Sequence, residues 1–221
     1  MRQTDVLIVG GGGCGLVLSK LLADQGVDFL TVERNAGTSV LPKAHYLNQR
    51  TMEILRQHGL ASEVYAQGTP PYNRSRTKWY SSFGGNTPLA RQTIHEMGGL
   101  GGHGTAREID YREASAADSA NLPQIRLEPI FRQQAEASAP GRILFQHEFV
   151  SLAQDADGVT STIRDNVAGT TFAVRSRYVV GADGGRSVGK QVGITLEGQQ
   201  NLITQIGVHF EATRGAPTSS H

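Results

Sequence analysis

The apolar positions change rhythm along the chain, and each change predicts an element. Behind Thr4 and Asp5, the residues Val6, Leu7, Ile8 and Val9 form an unbroken apolar run. Such a run suits a strand buried on both faces of a parallel sheet. Leu18, Leu21 and Leu22 then recur at helical spacing, which gives a helix with one apolar face, and Gly26 is its C-terminal stop. Residues 28–32 return to an extended pattern and predict a second strand, closed by Glu33. Residues 35–46 are loop-like, with Pro42 inside. Asn48 or Thr51 is placed to cap a helix over Met52, Ile54, Leu55 and His58 that ends at Gly59. A short helix over residues 61–66 follows, and Gly68, Thr69, Pro70 and Pro71 break it.

Downstream the pattern weakens. Residues 78–80 are extended in character, whereas residues 81–104 are rich in Gly, Ser and Thr and predict irregular loop with one short strand at most. Residues 122–126 look extended. Pro129 fits the first turn of a helix that carries Ile130, Phe131 and Ala135 on one face and stops at Pro140 and Gly141. Three or four strands are predicted next, over 142–152, 159–164, 171–174 and 177–180, with Asp157-Gly158 and Ala168-Gly169 as turns. Residues 212–221 are small and polar and are expected to fray. No internal repeat is visible. The expected fold class is α/β, a Rossmann-like βαβ unit with a β-meander.

The link between the first strand and the first helix carries the chemistry. Gly10, Gly12 and Gly15 fit the spacing G-x-G-x-x-G. The first glycine allows the tight turn, the second lets backbone approach a pyrophosphate, and the third lets helix and sheet pack closely. An anion there would face free N–H groups at a helix N-terminus. Glu33 stands 23 residues after Gly10, a spacing at which a carboxylate can accept hydrogen bonds from ribose hydroxyls. It would repel a 2′-phosphate, which favours FAD or NAD over NADP, although the neighbouring Arg34 could offset that repulsion. The chain has 27 glycines, and the cluster at 98–104 lacks a preceding strand. Only the N-terminal copy has the strand, turn, helix, strand and acid that the motif requires.

Composition removes several alternatives. A length of 221 residues suits one to two domains with a real core. Lys and Arg number 21 against 20 Asp and Glu, so no nucleic-acid or membrane surface is marked. No apolar run approaches the roughly 18 residues of a membrane span. Met1 to Asp5 lead straight into the first strand with no visible leader, so a cytoplasmic protein is the default. The single cysteine, Cys14, excludes an intrachain disulfide and a cysteine-based metal cluster, and no metal site is expected. Cys14 reads either as a reactive thiol at a helix N-terminus or as a small residue tolerated beside a ligand.

Four stretches, 5–15, 47–55, 122–131 and 179–187, together resemble the FAD-dependent aromatic-ring monooxygenases. Within them, the phenol and chlorinated-phenol hydroxylase branch is the nearest likeness, over residues 4–210. The resemblance implies FAD as cofactor, NAD(P)H as a transient reductant and a small phenolic substrate. It implies that Gly10, Gly12, Gly15 and Glu33 hold the ADP half, with Arg34 along the adenosine. Lys43 falls where relatives have a basic residue facing FAD, or is a solvated surface charge. Gln124 matches a glutamine on the flavin side, or is an ordinary loop residue. Asp183 and Gly184 match a second fingerprint shared by FAD and NAD(P)H, and Asp183 could equally stabilise its own turn. That fingerprint usually ends in Ser-x-x-Arg, whereas here it ends at Lys190, which keeps the charge without the bidentate fork. Arg50 is expected to pair within its helix.

The implied reaction uses NAD(P)H and dioxygen to place one oxygen atom on an activated ring, with the hard chemistry belonging to the cofactor. A base near the phenol hydroxyl would help. His45, just before residues 47–50, is the candidate catalytic residue, the alternative being a loop histidine with no part in the reaction. His103 reads as a bland loop residue. The resemblance divides the chain into a first FAD-binding segment (1–72), a substrate-domain excursion (73–110), a second FAD-binding segment with the meander (111–190), and the beginning of a β-sheet substrate domain with a frayed tail (191–221). Family members are much longer, and their second Gly-Asp motif lies past residue 221. The chain is therefore read as an N-terminal part, or a truncated frame, expected to bind FAD weakly. Two alternatives stand beside the monooxygenase: a non-enzymatic FAD- or nucleotide-binding fragment, and an NAD-dependent dehydrogenase. The phenol, the choice of NADH or NADPH and any homo-oligomer are left open.

Overall fold

The first strand is apolar on both sides because both of its faces are covered. Val6 and Ile8 pack with Leu16, Phe29, Ile130 and Phe131, whereas Leu7 and Val9 pack with Phe149, Ile163 and Val174. The alternation of a strand thus divides one apolar run between two cores.

The computed structural model describes residues 1–82, 84–99, 101, 103–105, 107–199 and 202–204. In chain order its elements are β1 (Arg2–Val9), α1 (Gly13–Asp24), β2 (Phe29–Glu33), β3 (Tyr46–Leu47), α2 (Gln49–Gln57), α3 (Ala61–Gln67), β4 (Arg76–Tyr80), β5 (Thr93–Gly98), α4 (Glu108–Glu113), β6 (Ala120–Asn121), α5 (Gln124–Ser138), β7 (Ile143–Phe145), β8 (His147–Asp155), β9 (Gly158–Asp165), β10 (Thr171–Gly181) and α6 (Val188–Gln191). Six strands form one sheet in the order β7-β2-β1-β10-β9-β8. The first four run parallel, and β10, β9 and β8 form an antiparallel meander. Helices α1 and α5 cover one face of the parallel strands, and meander residues cover the other. The α/β class, the βαβ unit and the meander are as the sequence predicts.

Several local expectations are corrected. Residues 122–126 are not a strand: only Ala120–Asn121 is extended, and α5 begins at Gln124. Pro123 ends the extended stretch, and its carbonyl accepts from the amides of Arg126 (2.8 Å) and Leu127 (3.0 Å). Pro129 therefore lies inside α5 rather than in its first turn. It forfeits one helical hydrogen bond, which the burial of Leu127, Ile130, Phe131 and Ala135 outweighs. The segment 142–152 is two strands, because Gln146 takes a φ of 59° between β7 and β8. Residues 171–174 and 177–180 are one strand, β10. Arg175 and Ser176 look like an interruption, but Ser176 is buried and Arg175 reaches Asp155 across the meander (2.7 Å).

β4 and β5 form a ribbon apart from the main sheet, with Arg76 and Lys78 both paired to Glu96. Near its base Arg74 is buried and donates to Ser119 Oγ (2.9 Å) and to the Ser119 carbonyl (2.7 Å). His103, in the glycine-rich loop, is buried as well. Residues 192–199 contain no strand, and the tail expected to fray lies outside the described residues.

Candidate functional site

The turn out of β1 is built on backbone packed against backbone. Gly10 has a φ of 113° and donates to the Val32 carbonyl (2.9 Å). A side chain on it would stand 2.3 Å from the Ala182 carbonyl oxygen, and one on Gly15 would stand 1.9 Å from the Gly10 oxygen. These two glycines are demanded by the fold itself. Gly12 is different: its φ of −81° suits any residue, and a Cβ there would meet only Glu128 Oε1, at 3.5 Å. Nothing within the fold requires glycine at 12. The space above it, at the N-terminus of α1, is open to an approaching anion.

Three carboxylates surround this turn. Glu33 Oε2 accepts from the Gly11 amide (2.8 Å), and Oε1 accepts from the amide (2.8 Å) and side chain (2.6 Å) of Asn35. Carboxylate oxygens carry further lone pairs, so sugar hydroxyls remain acceptable partners. Asp183 is occupied by its own loop: Oδ1 accepts from the Gly185 amide (3.1 Å), and Oδ2 from the Ser187 amide (2.6 Å), the Ser187 hydroxyl (2.6 Å) and the Val188 amide (3.0 Å). Glu128, the third, is buried on α5.

Partial burial works to raise the Asp183 carboxyl, but the hydrogen bonds from Ser187 and Val188 outweigh it and hold the group well below the usual carboxylate range. A carboxyl lowered on folding stabilises the protein above its unfolded value of about 3.9 and loses that contribution as pH falls toward the folded value. Asp183→Asn is expected to cost about 1 kcal/mol at neutral pH, and the gap to wild type is expected to shrink below about pH 5. Urea unfolding from pH 7 to pH 2.5 measures it; a gap constant across that range would contradict the assignment.

A cleft of about 700 Å³ opens over the turn, within the size range of ligand sites. Gly10, Gly12, Glu33, Arg34, Lys43, Gln124 and Asp183 all line it. Gly15 lies beneath, as close packing requires. His45 is not among the lining residues; its Nδ1 is 2.9 Å from Asn121 Oδ1 on β6. Arg50 pairs with Glu53 (2.7 Å) as expected. A second cleft, of about 820 Å³, lies between the β8–β9 turn and α6. It shares Asp183 but presents none of residues 10–15, so of the two clefts only the first opens over the glycine turn.

The profile of the FAD binding domain family matches residues 3–220. The chain belongs to that family. The curated relatives of this FAD binding domain include 2,4-dichlorophenol 6-monooxygenase of Delftia acidovorans, 39% identical over 213 residues, covering 95% of this chain and 35% of the relative. Phenol 2-monooxygenase of Pseudomonas sp. (strain EST1001) is 33% identical over 200 residues, covering 90% and 31%. Among solved structures, the flavin-dependent monooxygenase PieE, in complex with FAD and substrate, superposes with a TM-score of 0.82 at 42% identity, over 89% of this chain and 33% of that one. The chain spans about a third of the length of the curated relatives it matches. The likeness to phenol and chlorinated-phenol hydroxylases stands, and the dehydrogenase is set aside.

FAD is the cofactor of this family, and the cleft fits it: a helix N-terminus facing the cleft, a glycine at 12 with space above it, and the Glu33 carboxylate at the end of β2. Two residues that matter here escape the sequence motif. Gly11 is one, since a Cβ there would stand 2.8 Å from the Glu33 side chain. Glu128 is the other, and its signal was its i, i+4 spacing from Gln124. Among the described residues no helix is long and apolar enough to cross a membrane, and no group of three or more His, Cys, Asp or Glu is placed to hold a metal ion.

Proposed function

We propose that this FAD binding domain serves a monooxygenase that hydroxylates phenolic rings with NAD(P)H and dioxygen. The observation that carries the proposal is the 39% identity to a dichlorophenol 6-monooxygenase across 95% of the chain, with the glycine turn, Glu33 and Gln124 gathered in one cleft. When bound, FAD supplies the redox and oxygen chemistry. The α1 amides beyond Gly13, whose own amide is held by Glu128, would receive the pyrophosphate, Glu33 would accept from a ribose hydroxyl, and Arg34 would lie along the adenosine. Gln124 and Lys43 face the rest of the cofactor. Asp183 shapes the loop at the cleft wall, and the second fingerprint that begins there receives NAD(P)H transiently. A cytoplasmic setting supplies that reductant.

His45 is proposed to act on the phenol hydroxyl as general base, supported by its place between Lys43 and β3 and by the Asn121 contact that orients its ring. The segments 1–72 and 111–190 are proposed as the FAD-binding body, and 73–110 with 191–221 as the beginning of a substrate domain. The separate β4–β5 ribbon supports this division.

The test is NAD(P)H oxidation and product analysis with phenol and chlorinated phenols, using the longest natural form of the protein loaded with FAD. Ring hydroxylation coupled to NAD(P)H oxidation is expected. Oxidation indifferent to every phenol would overturn the substrate class. His45→Asn is expected to slow hydroxylation and leave FAD affinity unchanged, and unchanged turnover would remove His45 from the mechanism.

A further inference from the structure

We propose that Glu128 is the positioning residue of the cofactor cleft, a single buried carboxylate that fixes the pyrophosphate end and the flavin-side wall in register. Glu128 is 3% exposed. Its Oε1 accepts from the Gly13 amide (3.1 Å) and from Gln124 Nε2 (2.5 Å), and its Oε2 accepts from the Ser39 amide (2.7 Å). The donors belong to three segments: the first turn of α1, the first turn of α5, and the loop after β2. Ser39, Gln124 and Glu128 itself all line the cleft.

Burying a carboxylate is costly, and an apolar residue at 128 would hold α5 against α1 with less penalty. The acid is explained by what it grips. It takes the first amide of α1, which sets where on the helix N-terminus a phosphate can sit. The same oxygen holds the Gln124 side chain, so the N-terminus of α1 and Gln124 share one anchor. Its charge opposes a neighbouring pyrophosphate, so the geometric benefit must exceed that repulsion for the residue to favour binding.

The inference rests on the cleft holding FAD, and the test separates the two. Glu128→Gln keeps the volume but turns one acceptor into a donor that faces N–H groups. Wild type and variant, matched by far-UV circular dichroism, are titrated with FAD and with ADP by calorimetry. The FAD Kd of the variant is expected to rise about tenfold, the ADP Kd by less, because on the proposed function Gln124 faces the flavin side of the cofactor, which ADP lacks. Gln124→Leu is expected to weaken FAD alone and to add nothing in the Glu128→Gln background. A lowered Tm with both Kd values unchanged, or tighter binding by the variant, overturns the inference. Wild type that binds neither ligand overturns the FAD cleft and the inference with it. Should Glu128→Gln fail to fold, Ser39→Pro removes the amide that Oε2 accepts from, with Ser39→Ala as the control for the hydroxyl that donates to the Leu41 carbonyl (3.0 Å), and FAD affinity in the proline variant equal to that of the alanine variant overturns the inference equally.

Discussion

Gly15→Ala is expected to destabilise the chain by about 3 kcal/mol or more, whereas Gly12→Ala is expected to leave stability within about 0.5 kcal/mol and still impair FAD binding. The two glycines belong to one motif but answer to different neighbours. A methyl on Gly15 would stand 1.9 Å from the carbonyl oxygen of Gly10, which is backbone and cannot swing aside. Relief would require α1 to move off β1 and open the core around Leu16 and Ile8. A methyl on Gly12 meets only Glu128 Oε1, at 3.5 Å, an ordinary contact. Its penalty appears only when a pyrophosphate arrives. Urea unfolding and FAD titration of both variants measure the split. Equal destabilisation by both would mean that Gly12 is demanded by the fold and says nothing about a ligand.

Glu33→Ala is expected to weaken FAD by about 100-fold. One hydrogen bond from a ribose hydroxyl to the acceptor site left on Oε2, at about 1.5 kcal/mol, supplies roughly tenfold of that factor. A second loss compounds it, because Glu33 also holds the Gly11 amide and Asn35, and so shapes the glycine turn and the loop beyond β2. Calorimetric titration of wild type and variant with FAD reads the loss. Glu33→Gln keeps one acceptor oxygen, and its FAD Kd is expected to fall between the two. An alanine variant within threefold of wild type would place the ribose elsewhere.

What could be read from the sequence was what is local. The run at 6–9, the glycine spacing and the acid at 33 lie within a few dozen residues, and each is tied to its neighbour by the geometry of one βαβ unit. Signals that depend on distant partners were misread or missed. Residues 124–126 look extended until the chain is seen to turn at Pro123 and bury Leu127 against α1. That error hid Glu128, since its relation to Gln124 exists only on a helix. Arg175 and Ser176 resemble a break in β10 because their partners, Asp155 and the neighbouring strands, come from elsewhere in the meander. The contact between His45 and Asn121 on β6 is likewise invisible in the sequence, because the two residues stand far apart along the chain.

On the proposed function, the cleft over residues 10–15 holds the ADP half of FAD. Competition titration of the purified chain tests it most directly: saturable FAD binding followed by flavin fluorescence, challenged with ADP and with riboflavin. Displacement of FAD by ADP, with riboflavin a far weaker competitor, is the predicted result. No saturable FAD binding, or displacement by riboflavin while ADP has no effect, would contradict the claim.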